Sequence, residues 1–256
     1  MITEMWTKRE FLERLQEVGG RAYHHLHPFH VRMNEGGLDR DSIRLWVANR
    51  FYYQRCIPMK DAAILSNCPL REVRRNWVKR IVDHDGQVGQ EGGIEMWIRL
   101  AIASGLTREE TIDERHLLPR VRSTVDTYVN FARTEPWPIA IASSLTELFA
   151  PDLMTKRLEA FQRYYTWIAT DALDYFRVRL KQAREDSQFA LSATLEHCAN
   201  RELQERAVKA LHFKCDVLWS ILDTLMMASR VSESSIRQPN YVTSDGSSTH
   251  RESESI

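Results

Sequence analysis

The 256-residue chain has little glycine (10) and little proline (8), and alternating β-branched patterns are hard to find in it. Those scarcities weigh against sandwiches and barrels, whose many turns use both residues, and predict an all-α protein. There is no excess charge. Lys plus Arg total 35, as do Asp plus Glu, so no global field draws the chain to nucleic acid or to a membrane surface. Any anion site must be local. The four cysteines, Cys56, Cys68, Cys198 and Cys215, have neither CxxC nor zinc-finger spacing and form no disulfide-dense framework, which fits a reducing compartment. No basic-then-apolar leader opens "MITEMWTKRE", and no apolar run reaches the ~18 residues of a membrane span. The expectation is a soluble, cytoplasmic protein. Walker, GxGxxG and GxSxG motifs are all missing.

What is present is a normal globular balance, 43% hydrophobic and 27% charged, enough for a sizeable core. One helical domain is expected over residues 1–231. Residues 232–256, "SESSIRQPNYVTSDGSSTHRESESI", are Ser-rich and cannot bury enough surface to offset their ordering entropy, so a disordered tail is expected there. "TKRE" from Thr7 and "TREE" from Thr107 have capping-box spacing. Asp39 is placed to cap a helix that Pro58 should kink. Pro69 reads as a first-turn proline, and Pro136, Pro138 and Pro151 bracket a short helix holding "SSLTELF". A further helix is expected over 167–186, and the last long one from about Arg201 to Arg230.

Several cations fall on apolar faces. Positions three, four and seven apart share a helix face, which puts Arg50 with Ile43, Trp46, Val47, Tyr53, Gln54 and Ile57. Asp41, Arg44, Ala48 and Arg55 better suit the solvent side. In the next helix Arg80 and His84 follow Val73, Asn76 and Trp77, whereas Arg71, Arg74, Arg75 and Lys79 make a solvated face. His84 closes that helix, where the dipole favours an imidazolium. Lys214 shares a stripe with Leu211, Val217, Leu218 and Ile221. Tyr175 and Arg179 stand one turn apart, and Arg157 neighbours Met154, Leu158 and Phe161. One inward Arg is explained by snorkelling or by pairing. Five cations on separate helices, with Glu147 and Asp61 as the main inward acids, leave a surplus of positive charge that is costly to bury unpaired. An anionic ligand would resolve it, and Arg forks suit carboxylates.

A metal fits less well. "YHHLHPFH" holds His24, His25, His27 and His30, but no carboxylate lies at ligand spacing nearby. "DERH" (Asp113 to His116) is the one Asp/Glu-x-x-His, and a di-iron bundle needs two. The cysteines read as core residues.

The segments that carry the inward charges, "WVANRFYYQ", "IPMKDAAI", "RIVDHDG", "GGIEMW", "SSLTELFAP" and "HFKCDVLW", resemble the pyrroloquinoline-quinone synthase family, over about His24 to Met227. The resemblance implies a compact haem-oxygenase-like helical bundle, usually dimeric, with its pocket among the helices. It implies an oxidase of the last step of pyrroloquinoline quinone biosynthesis. That step closes a ring on an anionic, tricarboxylic quinone precursor and removes eight electrons, with O2 as co-substrate and hydrogen peroxide as a product. Neither a metal nor an organic cofactor is implied. Arg50, Tyr53, Gln54, Arg80, Tyr128, Glu147, Arg157 and Lys214 would bind substrate. His84 would be the general base, His24 and Tyr175 would assist proton transfers, and Arg179 would sit beside oxygen. Lys60 would be only a structural partner of Asp61. The chain departs from the family pattern at Met154, where a His is expected. Alternatives on the same fold are a di-metal oxidase, a Cys-dependent thiaminase-like enzyme, or a quinone carrier without turnover.

Overall fold

A computed structural model describes residues 4–236, which form helices and turns with no strand among them. In chain order the helices are α1 (Lys8–Ala22), α2 (Pro28–Asn34), α3 (Arg40–Asn67), α4 (Arg71–Asp85), α5 (Gly93–Ala103), α6 (Arg108–Ile112), α7 (Pro119–Thr134), α8 (Trp137–Ala142), α9 (Ala150–Tyr164), α10 (Asp174–His197) and α11 (Arg201–Ile236). Short 3-10 turns cover His24–Leu26, Ser143–Phe149 and Thr170–Leu173. The all-α expectation holds, and so do its start signals. Thr7 with Glu10 and Thr107 with Glu110 form capping boxes, and Asp39 accepts from the Ser42 amide at 2.8 Å.

Several boundaries differ from the sequence reading. Pro69 lies outside α4, ahead of the cap residue Leu70; as the residue before a cap it restricts the chain entering the helix rather than its first turn. "SSLTELF" is a 3-10 turn following α8. The helix bearing Tyr175 begins at Asp174, after its own 3-10 turn. Ala48 is buried rather than solvent-facing, because α3 packs against α4, α5 and α7 at once and has little free surface. α3 continues through Pro58 as one helix. α11 runs on to Ile236, so the first residues of the expected tail are helical; the rest of that tail lies outside the described residues. No helix among the described residues is long and apolar enough to cross a membrane.

The core comes in two apolar clusters, and the helices cross from one to the other. α3 gives Trp46, Phe51 and Ile57 to the first cluster and Ala63 and Ile64 to the second. α10 gives Tyr175 and Phe176 to the first and Ala190 and Ala193 to the second, while α11 gives Val217 and Leu218, then Ala210 and Leu211. The inward polar residues sit between these contributions: Lys60 and Asp61 on α3, Arg179 and Asp186 on α10, Lys214 on α11. A buried polar layer is thereby held between two hydrophobic ones. That is why charges interrupt the apolar stripes at mid-helix.

Candidate active site

A cavity opens within the polar layer, lined by side chains from α3, α4, α7, α9, α10 and α11. All the substrate and catalytic candidates named from the sequence line it, except Gln54. Gln54 is fully buried behind the wall, where it joins His84 to Tyr175. Met154 also lines the cavity, from α9.

The cations fall into two groups. Those of the first have acids. Arg80 makes a two-pronged pair with Glu147, Nη1 to Oε2 at 2.6 Å and Nη2 to Oε1 at 2.7 Å. It also reaches Asp61 at 3.3 Å and Asp186 at 3.0 Å. Arg179 lies 3.3 Å from Asp186 and 3.7 Å from Glu147. Lys60 donates to Asp61 and, at 3.0 Å, to Ser144 Oγ. Lys60 is thus the structural partner of Asp61 that the sequence suggested, and a lining residue as well. Burial pushes the Glu147 carboxyl up, but Arg80 and then Arg179 overcome it and hold the group well below the usual carboxylate range. Burial likewise opposes the charge of Arg80, and Asp61 and Glu147 more than restore it. Asp186 goes the other way: burial, opposed by Arg80 but aided by Glu147, raises it to about 6.

The second group has no acid. Among the described residues no carboxylate lies within ion-pair reach of Arg50, Arg157 or Lys214. Arg157 is 3% exposed, packs over the Trp46 ring at 5.0 Å, and leaves Nε and Nη2 without any partner. Burial lowers its pKa to about 10, with the charge of Arg50 adding to the effect. The Lys214 ammonium donates to the Tyr53 hydroxyl and lies 3.5 Å from the Tyr128 ring centroid. Burial, then Lys60 and Arg50, drive its pKa well below the ordinary lysine value. Arg50 covers the Tyr53 ring at 4.0 Å. Three cations converge on one cavity without counter-charge, an arrangement that suits an anionic ligand.

The neutral groups complete the chemistry. Dipole reasoning anticipated a protonated His84, but its pKa is driven well below 6.5, first by burial and then by Arg179 and Arg80. Local charge and desolvation outweigh a helix-end effect of ~1 kcal/mol. His84 is therefore an uncharged imidazole at neutral pH, as a proton acceptor must be. Gly86, at φ +82°, ends α4 and turns the chain back so that Gly92 passes against it. A Cβ at Gly86 would lie 2.7 Å from the Gln90 carbonyl and from the Gly92 amide nitrogen, so the turn needs glycine. His24 is also held neutral, by burial and by Arg157.

Sequence reasoning missed His30, Tyr23 and Asp186. Asp186 lies two turns from Arg179 on α10, so the same-face rule that found the cations could have found their acid. His30 packs on His24 with ring centroids 4.8 Å apart and leaves Nε2 unpartnered; nothing in "YHHLHPFH" ranked it above its neighbours. "DERH" is a surface turn, with Asp113 paired to Arg115 and His116 to Glu110. No cysteine lines the cavity, and burial raises all four thiols, Cys198 and Cys215 to about 12. Among the described residues no three His, Cys, Asp or Glu side chains are grouped to hold a metal ion.

Comparison with known proteins agrees with this architecture. Residues 12–224 match the model of the TENA/THI-4/PQQC family. The chain is 56% identical to the pyrroloquinoline-quinone synthase of Pseudomonas aeruginosa over 220 residues, 86% of this chain and 88% of the relative. It is 46% identical to that of Klebsiella pneumoniae over 250 residues, 98% of each. Among solved structures it superposes on a domain with a heme oxygenase-like fold from Shewanella denitrificans, with TM-score 0.70, 12% identity, and 89% and 93% of the two chains covered. A TenA homologue from Pseudomonas syringae gives TM-score 0.69 at 13% identity, over 88% and 99%. The bundle therefore has the haem-oxygenase-like fold, and the chain belongs to the TENA/THI-4/PQQC family, alongside its pyrroloquinoline-quinone synthases.

Proposed function

We propose that this protein is an oxidoreductase performing the last step of pyrroloquinoline quinone biosynthesis. It closes a ring on the tricarboxylic quinone precursor and passes eight electrons to O2, with hydrogen peroxide as a product and no metal or organic redox cofactor. The observation that carries the reading is the match between three acid-free cations, Arg50, Arg157 and Lys214, and a ligand bearing three carboxylates. The pyrroloquinoline-quinone synthases at 46–56% identity over most of the chain support it independently.

In this reading Arg50, Arg157 and Lys214 bind the carboxylates and quinone oxygens, while Arg80 reaches the ligand only by sharing itself with Glu147. His84, uncharged and on the cavity wall, takes carbon-bound protons, with His24 and Tyr175 assisting. A reduced quinol-like intermediate hands electrons to O2, and the fixed charge of Arg179 stabilises the anions that form. A homodimer working in the cytoplasm belongs to the same proposal. The thiaminase-like alternative needs a thiolate at the cavity, and every cysteine is elsewhere with a raised pKa. A pure carrier needs cations but no neutral histidine beside them.

The test is a titration of metal-analysed protein with the product quinone and with its trimethyl ester. Three charge-assisted hydrogen bonds at about 1.5–3 kcal/mol each predict at least a hundredfold weaker binding of the ester. Equal binding of the two would remove the basis of the proposal.

A further inference from the structure

A neutral imidazole carries its proton on one nitrogen only, and that choice decides whether the other can accept one. In His84, Nδ1 lies 2.6 Å from Gln54 Nε2, while Nε2 is buried with no partner. The orientation of the Gln54 amide is set on its far side. Its Oε1 accepts from the Tyr175 hydroxyl at 2.7 Å and from Arg50 Nη1 at 3.4 Å. A guanidinium has donors only, so Arg50 keeps the amide oxygen towards itself and the NH2 towards His84. An NH2 donating to Nδ1 needs that nitrogen bare, which puts the ring proton on Nε2. In this arrangement Nε2 of His84 is a donor, the wrong tautomer for a base acting through that nitrogen.

We infer that Gln54 is a positioning residue that switches the His84 tautomer, and that Arg50 controls it. When Arg50 turns to a ligand carboxylate, the Gln54 amide rotates and its oxygen accepts from Nδ1–H, leaving Nε2 bare as the base. The inference rests on the anionic-substrate reading above and adds the coupling between binding and base formation. After rotation the Gln54 NH2 donates to the Tyr175 hydroxyl oxygen in place of the bond that hydroxyl gave Oε1; the Tyr175 proton turns into the cavity that the ring lines, and the ligand replaces the long contact from Arg50. The ring proton leaves Nε2 and one arrives at Nδ1 by exchange with ligand or water, with no net change in charge. Space for the turning amide is built in: a Cβ at Gly93 would stand 3.2 Å from both Gln54 Nε2 and His84 Nδ1. A base that exists only once a carboxylate occupies Arg50 would not abstract protons in the empty site.

Long-range proton–nitrogen spectra of ¹⁵N-histidine protein, assigned with His84→Gln, test this. In the free protein, Nδ1 of His84 should resonate as an unprotonated nitrogen and Nε2 as a protonated one. Saturation with the product quinone should exchange the two. Arg50→Met should populate the Nδ1–H form without ligand, and Gln54→Glu, which can only accept, should hold Nδ1 protonated throughout. A protonated Nδ1 in the free wild type overturns the inference, as does a quinone whose absorbance shifts on binding while Nδ1 stays bare. A quinone that does not bind counts against the proposed function instead, and the ligand-free Arg50→Met spectrum then decides: protonated Nδ1 upholds the switch, bare Nδ1 ends it.

Discussion

Replacing Arg157 by Met should make the ligand-free protein more stable and its ligand binding worse. Arg157 is 3% exposed and has no acidic partner, so solvent does not screen its charge. Its pKa falls from 12.5 to about 10 on folding. For a cation, a folded pKa below the unfolded one means that the charged form costs stability at every pH below about 10. At ~1.36 kcal/mol per unit, that cost is about 3 kcal/mol. Methionine keeps the apolar stem and forfeits the contact of the guanidinium with Trp46, worth ~0.5–2 kcal/mol. The net expectation is a gain of about 1–2 kcal/mol, or roughly 2–8 °C in Tm for a domain of this size. The same change removes a charge-assisted contact to the ligand, ~1.5–3 kcal/mol, so the product quinone should bind about 10- to 150-fold more weakly. Arg80→Met should do the opposite to stability. It takes the two-pronged partner from Glu147, leaving only Arg179 at 3.7 Å, and one of two cations from Asp61, and should cost about 3–5 kcal/mol. Thermal melts with and without the quinone read all of this. If Arg157→Met destabilises the protein and leaves affinity intact, Arg157 is a structural cation and the receptor account is wrong.

Other consequences can be checked separately. Met154→His, at the cavity wall, should leave O2-dependent turnover unchanged or improve it; a large loss measured by oxygen uptake would contradict the account of this departure. Gly93→Ala presses on the Gln54–His84 contact and should lower turnover several-fold with little change in Tm; unchanged turnover would mean that the pair tolerates displacement. His30 and His84 have folded pKa values well below 6.5, so below that pH the unfolded chain binds more protons and stability falls. The slope is up to ~1.4 kcal/mol per pH unit for each ring. His24 is lowered in the same way, so Asp186, raised to about 6, works against three rings, and Tm should still drop between pH 7 and 5.5. A flat or rising Tm over that interval would refute the neutral assignment of the rings.

The helices and the inward cations were legible because helical periodicity is local: Arg50, Arg80, Arg179 and Lys214 each break an apolar stripe within one helix. Pairing is not local. That Arg80 is spoken for by Glu147, Asp61 and Asp186 while Arg157 is not depends on how α3, α4, α9 and α10 meet. The protonation of His84 was misread for the same reason. Its place at the end of α4 was visible in the sequence, but its burial and the nearness of Arg179 were not. "SSLTELF" kept its glutamate on target although it folds as a 3-10 turn, because either helix type turns Glu147 inward from a segment hemmed by prolines.

The most direct test of the oxidase assignment is to mix metal-analysed protein with the precursor under anaerobic conditions, record the absorbance spectrum, and then admit air. The account predicts a quinol-like species that persists without O2 and converts to the product quinone with release of hydrogen peroxide once O2 enters, at well below one metal ion per chain. A spectrum that shifts on mixing and never advances in air, or turnover that tracks bound metal, would contradict it.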